Sequence, residues 1–481
     1  MSPCLLNWKT VSGMLKRMTP PKDRAVDVII LGAGMAGLAA AAKLVEAGLE
    51  VCVVEARDRI GGRVHTVHDE ATPLPVELGA EFLHGKAKLT HELAHASHIP
   101  VVDVTGSHWI ARDKKLSPVN DFDGKLERVM QLVAKRTQKG PDRSFDETVK
   151  GARIDPEAVG LAKSFVEGFN AATSDRISAL SLTMGSEDDE KAGRVIAGYD
   201  RIASSLAAKI PAKSLRLNTV AKEVSWRKGH VTVRCVSGLG KGIGEIRAKA
   251  LVVTLPLGIL VTSVLEPRAN DKSRDESQKK ARVHFDPPLK EKKKALGLLA
   301  MGNVLRMTFR FREAFWTSAK NVGAREAPEL PRLSFLHVRG GILPTWWSTY
   351  PIETPLITAW AGGPAADRLL AMKERGIIDA AMETLARAFD VKRSFVEERL
   401  ERTFFHDWAA DPFSRGAYSY PLVGGARAGK RLGVPIQSTL YFAGEATAVP
   451  PDNGTVHGAL ESGERVAREI LREVRPGRSR S

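Results

Sequence analysis

A short apolar run, Val26 to Leu31, passes directly into Gly32-Ala33-Gly34-Met35-Ala36-Gly37 and then into the alanine-rich stretch Leu38 to Ala47. Few folds accommodate that order: it predicts a buried strand, a glycine turn and a helix. In such a unit Gly32 makes the tight turn, Gly34 lets the backbone approach a pyrophosphate, and Gly37 lets the helix pack closely on the strand. The free N–H groups of the helix start then point at phosphate. Gly48 ends the helix, Leu49 to Val54 predicts a second strand, and Glu55 follows it, placed to accept hydrogen bonds from ribose hydroxyls. The unit therefore predicts a bound dinucleotide. An acid at Glu55 argues against a 2′-phosphate and hence against NADP, while NAD and FAD both remain open at this point.

Length and charge narrow the rest. At 481 residues, 43% hydrophobic and 27% charged, the chain has room for two or three ordinary domains and is neither fibrous nor disordered. No stretch approaches the roughly 20 uninterrupted apolar residues that cross a bilayer. The net charge of +16 raises the question of nucleic acid, but three segments, 1–24, 264–294 and 465–481, supply +4 each. They are tails or a polar insertion without RNA-binding aromatics, a zinc finger or a basic zipper, so no nucleic-acid partner is expected. Cys4, Cys52 and Cys235 lie far apart with no CxxC pair, which suits a reducing compartment; with no signal-peptide core in the basic N-terminal extension 1–24, the expected location is cytoplasmic.

Directly after Glu55 and Ala56, the run Arg57-Asp58-Arg59-Ile60-Gly61-Gly62-Arg63 resembles the second signature of the flavin amine oxidase superfamily, monoamine and polyamine oxidases among them. Gly79-Ala80-Glu81-Phe82-Leu83-His84-Gly85 is similar to the flavin-facing loop of polyamine oxidases. Leu440 to Thr447 and Gly454 to Ala459 resemble the family's C-terminal motif. Leu251 to Leu260, Phe285 to Leu289 and Asp411 to Tyr420 follow the same family in the same order, so the resemblance spans roughly residues 25 to 475. It implies an α/β fold: a Rossmann-type FAD-binding domain built from discontinuous segments, 25–85, 190–262 and 430–475, plus an inserted mixed-sheet α+β substrate domain, 86–189 and 283–429, with 263–282 as a polar insertion loop.

The resemblance also implies roles. FAD becomes the cofactor, held through Gly32, Gly34, Met35, Ala36, Gly37, Glu55, Ala56, Arg57, Gly62 and Arg63, the loop Gly79, Ala80, Glu81 and Phe82, the backbone at Val220, and Gly444, Glu445, Thr455 and Val456. It is expected to be non-covalent, because Gly416, Ala417 and Tyr418 occupy the segment where monoamine oxidases carry a linking cysteine. Tyr418 matches the family's aromatic near the flavin, Thr455 stands where some relatives place a second tyrosine, and His84 is positioned to meet the substrate amine. The departure is Arg306, in Met301-Gly302-Asn303-Val304-Leu305-Arg306, where the family usually has a lysine; a guanidinium does not serve as a base. The implied chemistry is hydride removal from an amine-bearing carbon to flavin N5, giving an imine, with O2 returning the flavin to its oxidised state and leaving H2O2. A dehydrogenase or desaturase of the same fold, acting on a non-amine with another electron acceptor, is the alternative that Arg306 keeps open.

Three other motifs stand out. His91-Glu92-Leu93-Ala94-His95 satisfies HExxH, but without a metzincin third ligand a solvated helix is expected and no metal site. Trp346-Trp347 reads as core packing first and pocket lining second. Lys292-Lys293-Lys294 reads as an exposed helix start.

Overall fold

The structure, a computed structural model, describes residues 24–113, 115–119, 122–185, 192–265, 281–318 and 330–474. Nearly all of the basic extension, most of the polar insertion, and Cys4 lie outside the described residues.

Arg24–Leu31 is flanked by two parallel neighbours, Val51–Val54 and Gly242–Val253, with Leu31 opposite both Val54 and Val253. Leu215–Arg216 extends this parallel sheet on one side, and Leu440–Phe442 adds to it in parallel at Leu251 to Val253. Gly242–Val253 also ends an antiparallel meander with Thr219–Arg227 and His230–Ser237. Side chains alternate across the strand: Val28 and Ile30 pack under the helices Met35–Glu46, Asp200–Ala207 and Val456–Val474, whereas Ile29 and Leu31 face Leu257–Val264, Lys293–Leu296 and Ala428–Leu432. A parallel strand apolar on both faces requires this cover on both sides.

The glycine turn behaves as its spacing demands, with one shift. The helix starts at Met35, three residues before the predicted Leu38, because Gly34 already takes the N-cap position. Gly32 has φ +107°, and a Cβ on Gly37 would lie 2.0 Å from Gly32 O, so any side chain at Gly37 would force the helix off the strand.

A second sheet of seven strands runs, in spatial order, Leu400–Phe405, Val304–Phe311, Leu356–Gly362, Thr345–Ser348, Leu333–Val338, Ser107–Arg112 and Lys115–Pro118. All neighbours are antiparallel except Leu333–Val338 with Ser107–Arg112, so the sheet is mixed, and the amphipathic helices Gly363–Leu370 and Glu374–Ala388 share its core. The fold is thus α/β with a separate mixed sheet.

Two expectations need correction. His284–Asp286 pairs in parallel with Thr219–Arg227, and Phe285, Leu289 and Leu296 pack in the first sheet's core, so residues 284–296 belong with the dinucleotide side rather than the inserted domain. The apolar positions of Phe285-Asp286-Pro287-Pro288-Leu289 cover a face that would otherwise be wet. Lys292 is not exposed: it is 2% accessible, its Nζ donates to Leu432 O (2.9 Å) and Val434 O beyond the helix Ala428–Leu432, and it lies 4.2 Å from the Phe442 ring centroid. Burial pulls its pKa down to about 8. Lys292→Met should therefore cost about 1–3 kcal/mol by leaving two carbonyls without their donor. Urea titrations of the two proteins would show it, and coincident curves would refute the capping role.

Candidate active site

The residues flagged in the sequence converge where the two sheets meet. The Glu55 carboxylate, at the end of Val51–Val54, turns back over the glycine turn: Oε2 accepts from Ala33 N (2.8 Å) and Oε1 from Arg57 N (2.9 Å). Thr219 N donates to Glu55 O (2.8 Å), which brings Val220 alongside. Arg57 Nη2 donates to Asp411 Oδ1 (2.7 Å), and His406 Nε2 lies 2.9 Å from Asp411 Oδ2. Burial would raise the Asp411 carboxyl, but His406 and Arg57 outweigh it and hold it well below the usual range.

Arg63 is the hinge between distant parts of the chain. Its Nη1 donates to Ala417 O (2.7 Å) and to Glu445 Oε1 (2.9 Å). Glu445 Oε2 accepts from Ser419 Oγ (2.6 Å) and Gly454 N (3.0 Å). One buried carboxylate therefore ties Gly62-Arg63, the Tyr418 strand and the start of Val456–Val474 into one corner. Thr455 Oγ1 donates to Asp452 O and accepts from Gly458 N (3.0 Å), so its hydroxyl is committed to capping that helix.

The loop Gly79 to Phe82 continues from there, with Ala80 N donating to Arg63 O (3.2 Å). Arg306 Nη1 donates to Gly79 O (2.8 Å) and its Nη2 to Glu81 Oε2 (2.6 Å). Arg194 Nε takes the other Glu81 oxygen (2.7 Å), and Trp347 Nε1 donates to Oε2 (3.0 Å). All three charged side chains are more than nine-tenths buried, and Arg306 Nε is buried without a hydrogen-bond partner among the described residues. Burial would raise Glu81, but Arg306 and then Arg194 overcome it and the net shift is downward. Glu77 lies just behind, its oxygens accepting from Tyr199 N (2.7 Å) and Thr66 Oγ1 (2.7 Å); burial pushes its pKa up to about 7.

Tyr418 Oη donates to Phe169 O (2.6 Å), and burial raises its phenol. His84 meets the edge of Phe169 at 5.6 Å between centroids. Trp346 is wholly buried against Phe309 in the second sheet's core, whereas its neighbour Trp347 faces the Glu81 cluster, so the two tryptophans have separate tasks. His91, Glu92 and His95 are exposed on the helix Lys88–Ala96. Reading motifs alone missed Arg194, Glu77 and Phe169; a charge inside an apolar strand, as in Val76-Glu77-Leu78 and Arg194-Val195-Ile196, was the available signal.

The donor set fits a dinucleotide. The helix Met35–Glu46 has no side-chain cap and no acid in its first turn, leaving its amides for an anion. Gly444, at φ +124°, faces open space in which a Cβ would meet nothing within 4 Å. Together the glycine turn, the Arg63–Glu445 corner and the adjoining second sheet form one site whose donors suit a phosphate-bearing cofactor.

Comparison with known proteins gives the family. The chain belongs to the flavin containing amine oxidoreductases, whose family model matches residues 35–471, and is a flavin-dependent oxidoreductase. It is 25% identical over 478 aligned residues to polyamine oxidase 4 of Oryza sativa subsp. japonica, covering 93% of this chain and 89% of the relative. Polyamine oxidase 2 of Arabidopsis thaliana is 26% identical, covering 94% and 89%. Among solved structures, putrescine oxidase bound to putrescine superposes with a TM-score of 0.73 at 21% identity, covering 94% and 100%. Cyclohexylamine oxidase from Brevibacterium oxydans IH-35A gives 0.74 at 20%, covering 93% and 99%; both likenesses establish the fold.

Proposed function

We propose that this protein is a cytoplasmic FAD-dependent amine oxidase with a non-covalent cofactor. The observation that carries this reading is the corner in which Arg63, Glu445 and the Tyr418 strand are hydrogen-bonded beside the Glu81–Arg306 cluster. Glu55, the amides around Gly34 to Gly37, Val220 and Glu445 would hold the FAD. When bound, FAD supplies the hydride acceptor for the carbon bearing the amine and passes the electrons to O2 as H2O2.

The chain's own part is to bind, orient and set charge. Tyr418, fixed by its bond to Phe169 O, supplies a rigid aromatic wall, and His84, set edge-on to Phe169, is the titratable side chain on that wall. Two guanidiniums share Glu81, so the cluster carries surplus positive charge whenever Glu77 is protonated; that disfavours a bound ammonium and favours the neutral amine whose lone pair assists the reaction. Arg306 holds the Gly79 carbonyl and Glu81 in place and carries no proton-accepting task. Non-covalent binding is supported by Gly416 and Ala417 before Tyr418 and by the position of Cys52 and Cys235, buried in the core of the first sheet.

The expected result is a yellow protein that releases its flavin on acid precipitation, bleaches anaerobically with an amine, and yields H2O2 when oxygen is admitted. The fixed Arg306–Glu81 pair favours one competing reading, a dehydrogenase of a non-amine. Failure of every amine to bleach the flavin would decide for it.

A further inference from the structure

The residues on the substrate side form a closed chain of contacts. Tyr418 Oη reaches Phe169 O; Phe169 meets His84 (5.6 Å); His84 meets Phe82 (6.0 Å); Phe82 meets Trp347 (5.4 Å); Trp347 meets Trp360 (5.6 Å). Trp360 Nε1 donates to Gly168 O (3.3 Å), which returns to Phe169 and closes the belt. Five elements contribute: the flavin loop, the helix Pro156–Asn170, two strands of the second sheet and the Tyr418 strand. The belt grades from Trp347, 5% exposed beside Glu81, to Phe169, 52% exposed at the outer end. Phe169 is also stacked on Phe165 (5.3 Å, 8° between planes), which holds its ring in place at the outer end of the belt.

Charge at the inner end is already committed. Both Glu81 oxygens are held by Arg194, Arg306 and Trp347, and both Glu77 oxygens by Tyr199 N and Thr66. With both acids ionised the two pairs sum to zero, and with Glu77 protonated the sum is positive. Neither state of this inner end draws in an ammonium.

From this we infer that the substrate class is a monoamine on an aromatic or alicyclic body, taken in through the belt, with Phe169 as a specificity-determining residue. The inference rests on the amine oxidase reading above and sets the chain apart from polyamine specificity. An apolar ring covers the belt, while the neutral amine nitrogen lies on the His84 side.

The test is rapid-mixing anaerobic reduction of the holoenzyme by cyclohexylamine, benzylamine, putrescine and spermidine, comparing reduction rate over dissociation constant. The ring amines should exceed both polyamines at least tenfold. Phe169→Ala should cut that preference about tenfold, and Phe169→Glu, which puts a carboxylate at the mouth, should shift it further toward putrescine. Independently of turnover, 1-methylcyclohexylamine, which lacks the hydrogen to be removed, should perturb the flavin spectrum of the wild type and bind about tenfold more weakly to Phe169→Ala. Preference for putrescine or spermidine would overturn the inference while leaving the amine oxidase standing. So would a Phe169→Ala variant with unaltered preference and unaltered analogue binding. Reduction by no amine would overturn both.

Discussion

Glu81→Ala is expected to lower the unfolding free energy by about 3–5 kcal/mol, the cost of removing one partner from a buried ion pair and leaving the other charge uncompensated. The effect is large here because the carboxylate serves two guanidiniums, and the residues left behind, Arg194 and Arg306, are 5% and 6% exposed. Arg194 keeps the carbonyls of Ser348 and Tyr350, and Arg306 keeps Gly79 O, but neither retains a full counter-charge. The measurement is chemical unfolding of Glu81→Ala and of the double variant Glu81→Ala, Arg306→Met. Removing the stranded cation should recover part of the loss, so the two substitutions should be non-additive by more than about 1 kcal/mol. Strict additivity would show that the pair is not coupled, and a single-variant loss below about 1 kcal/mol would show that water reaches the cluster.

Much of the dinucleotide side was legible in the sequence because it is built from local rules. A glycine with positive φ, a second pressed against the first glycine's carbonyl, and an acid at the next strand end occur within one βαβ unit, where spacing alone conveys geometry. The site is different, because its contacts join positions hundreds of residues apart. Arg63 reaches Glu445 and Ala417, and Glu81 reaches Arg194, Arg306 and Trp347, so no window of sequence contains a pair. The resemblance to a family flagged both ends of the Arg63–Glu445 and Glu81–Arg306 contacts without pairing them, and Arg306 stood out as a departure, yet only the folded chain explains it. An arginine there needs an acid within reach, and Glu81 in the Gly79-Ala80-Glu81-Phe82 loop is that acid. Lys292 shows the opposite failure: a triple lysine reads as solvent-facing, while the packing of Ala428–Leu432 buries the first of the three.

Glu77 should make stability fall as pH rises through neutrality, by about 2–3 kcal/mol between pH 5 and pH 8. Its ordinary carboxyl pKa is 4.5; in the folded protein burial raises it to about 7, with Glu81 adding to the rise and Tyr199 N, Thr66 and Arg306 opposing it. Between those two values the native protein holds a proton that the unfolded chain has released. The stabilisation is therefore complete below about pH 4.5 and is lost as pH climbs through 7. Glu77→Gln cannot titrate and should flatten this part of the profile, leaving it less stable than wild type at pH 5 relative to its standing at pH 8. Urea unfolding of both proteins at the two pH values measures the difference; equal pH dependence would mean that Glu77 is already ionised when folded. The same titration reaches the active site, because ionised Glu77 cancels the surplus charge of Arg194, Glu81 and Arg306. In Glu81→Ala the like charge that helps raise Glu77 is gone and Arg306 is left to it, so the midpoint should move below 7. Coupling of that sign would tie the stability of the loop Gly79 to Phe82 to the charge presented to the amine.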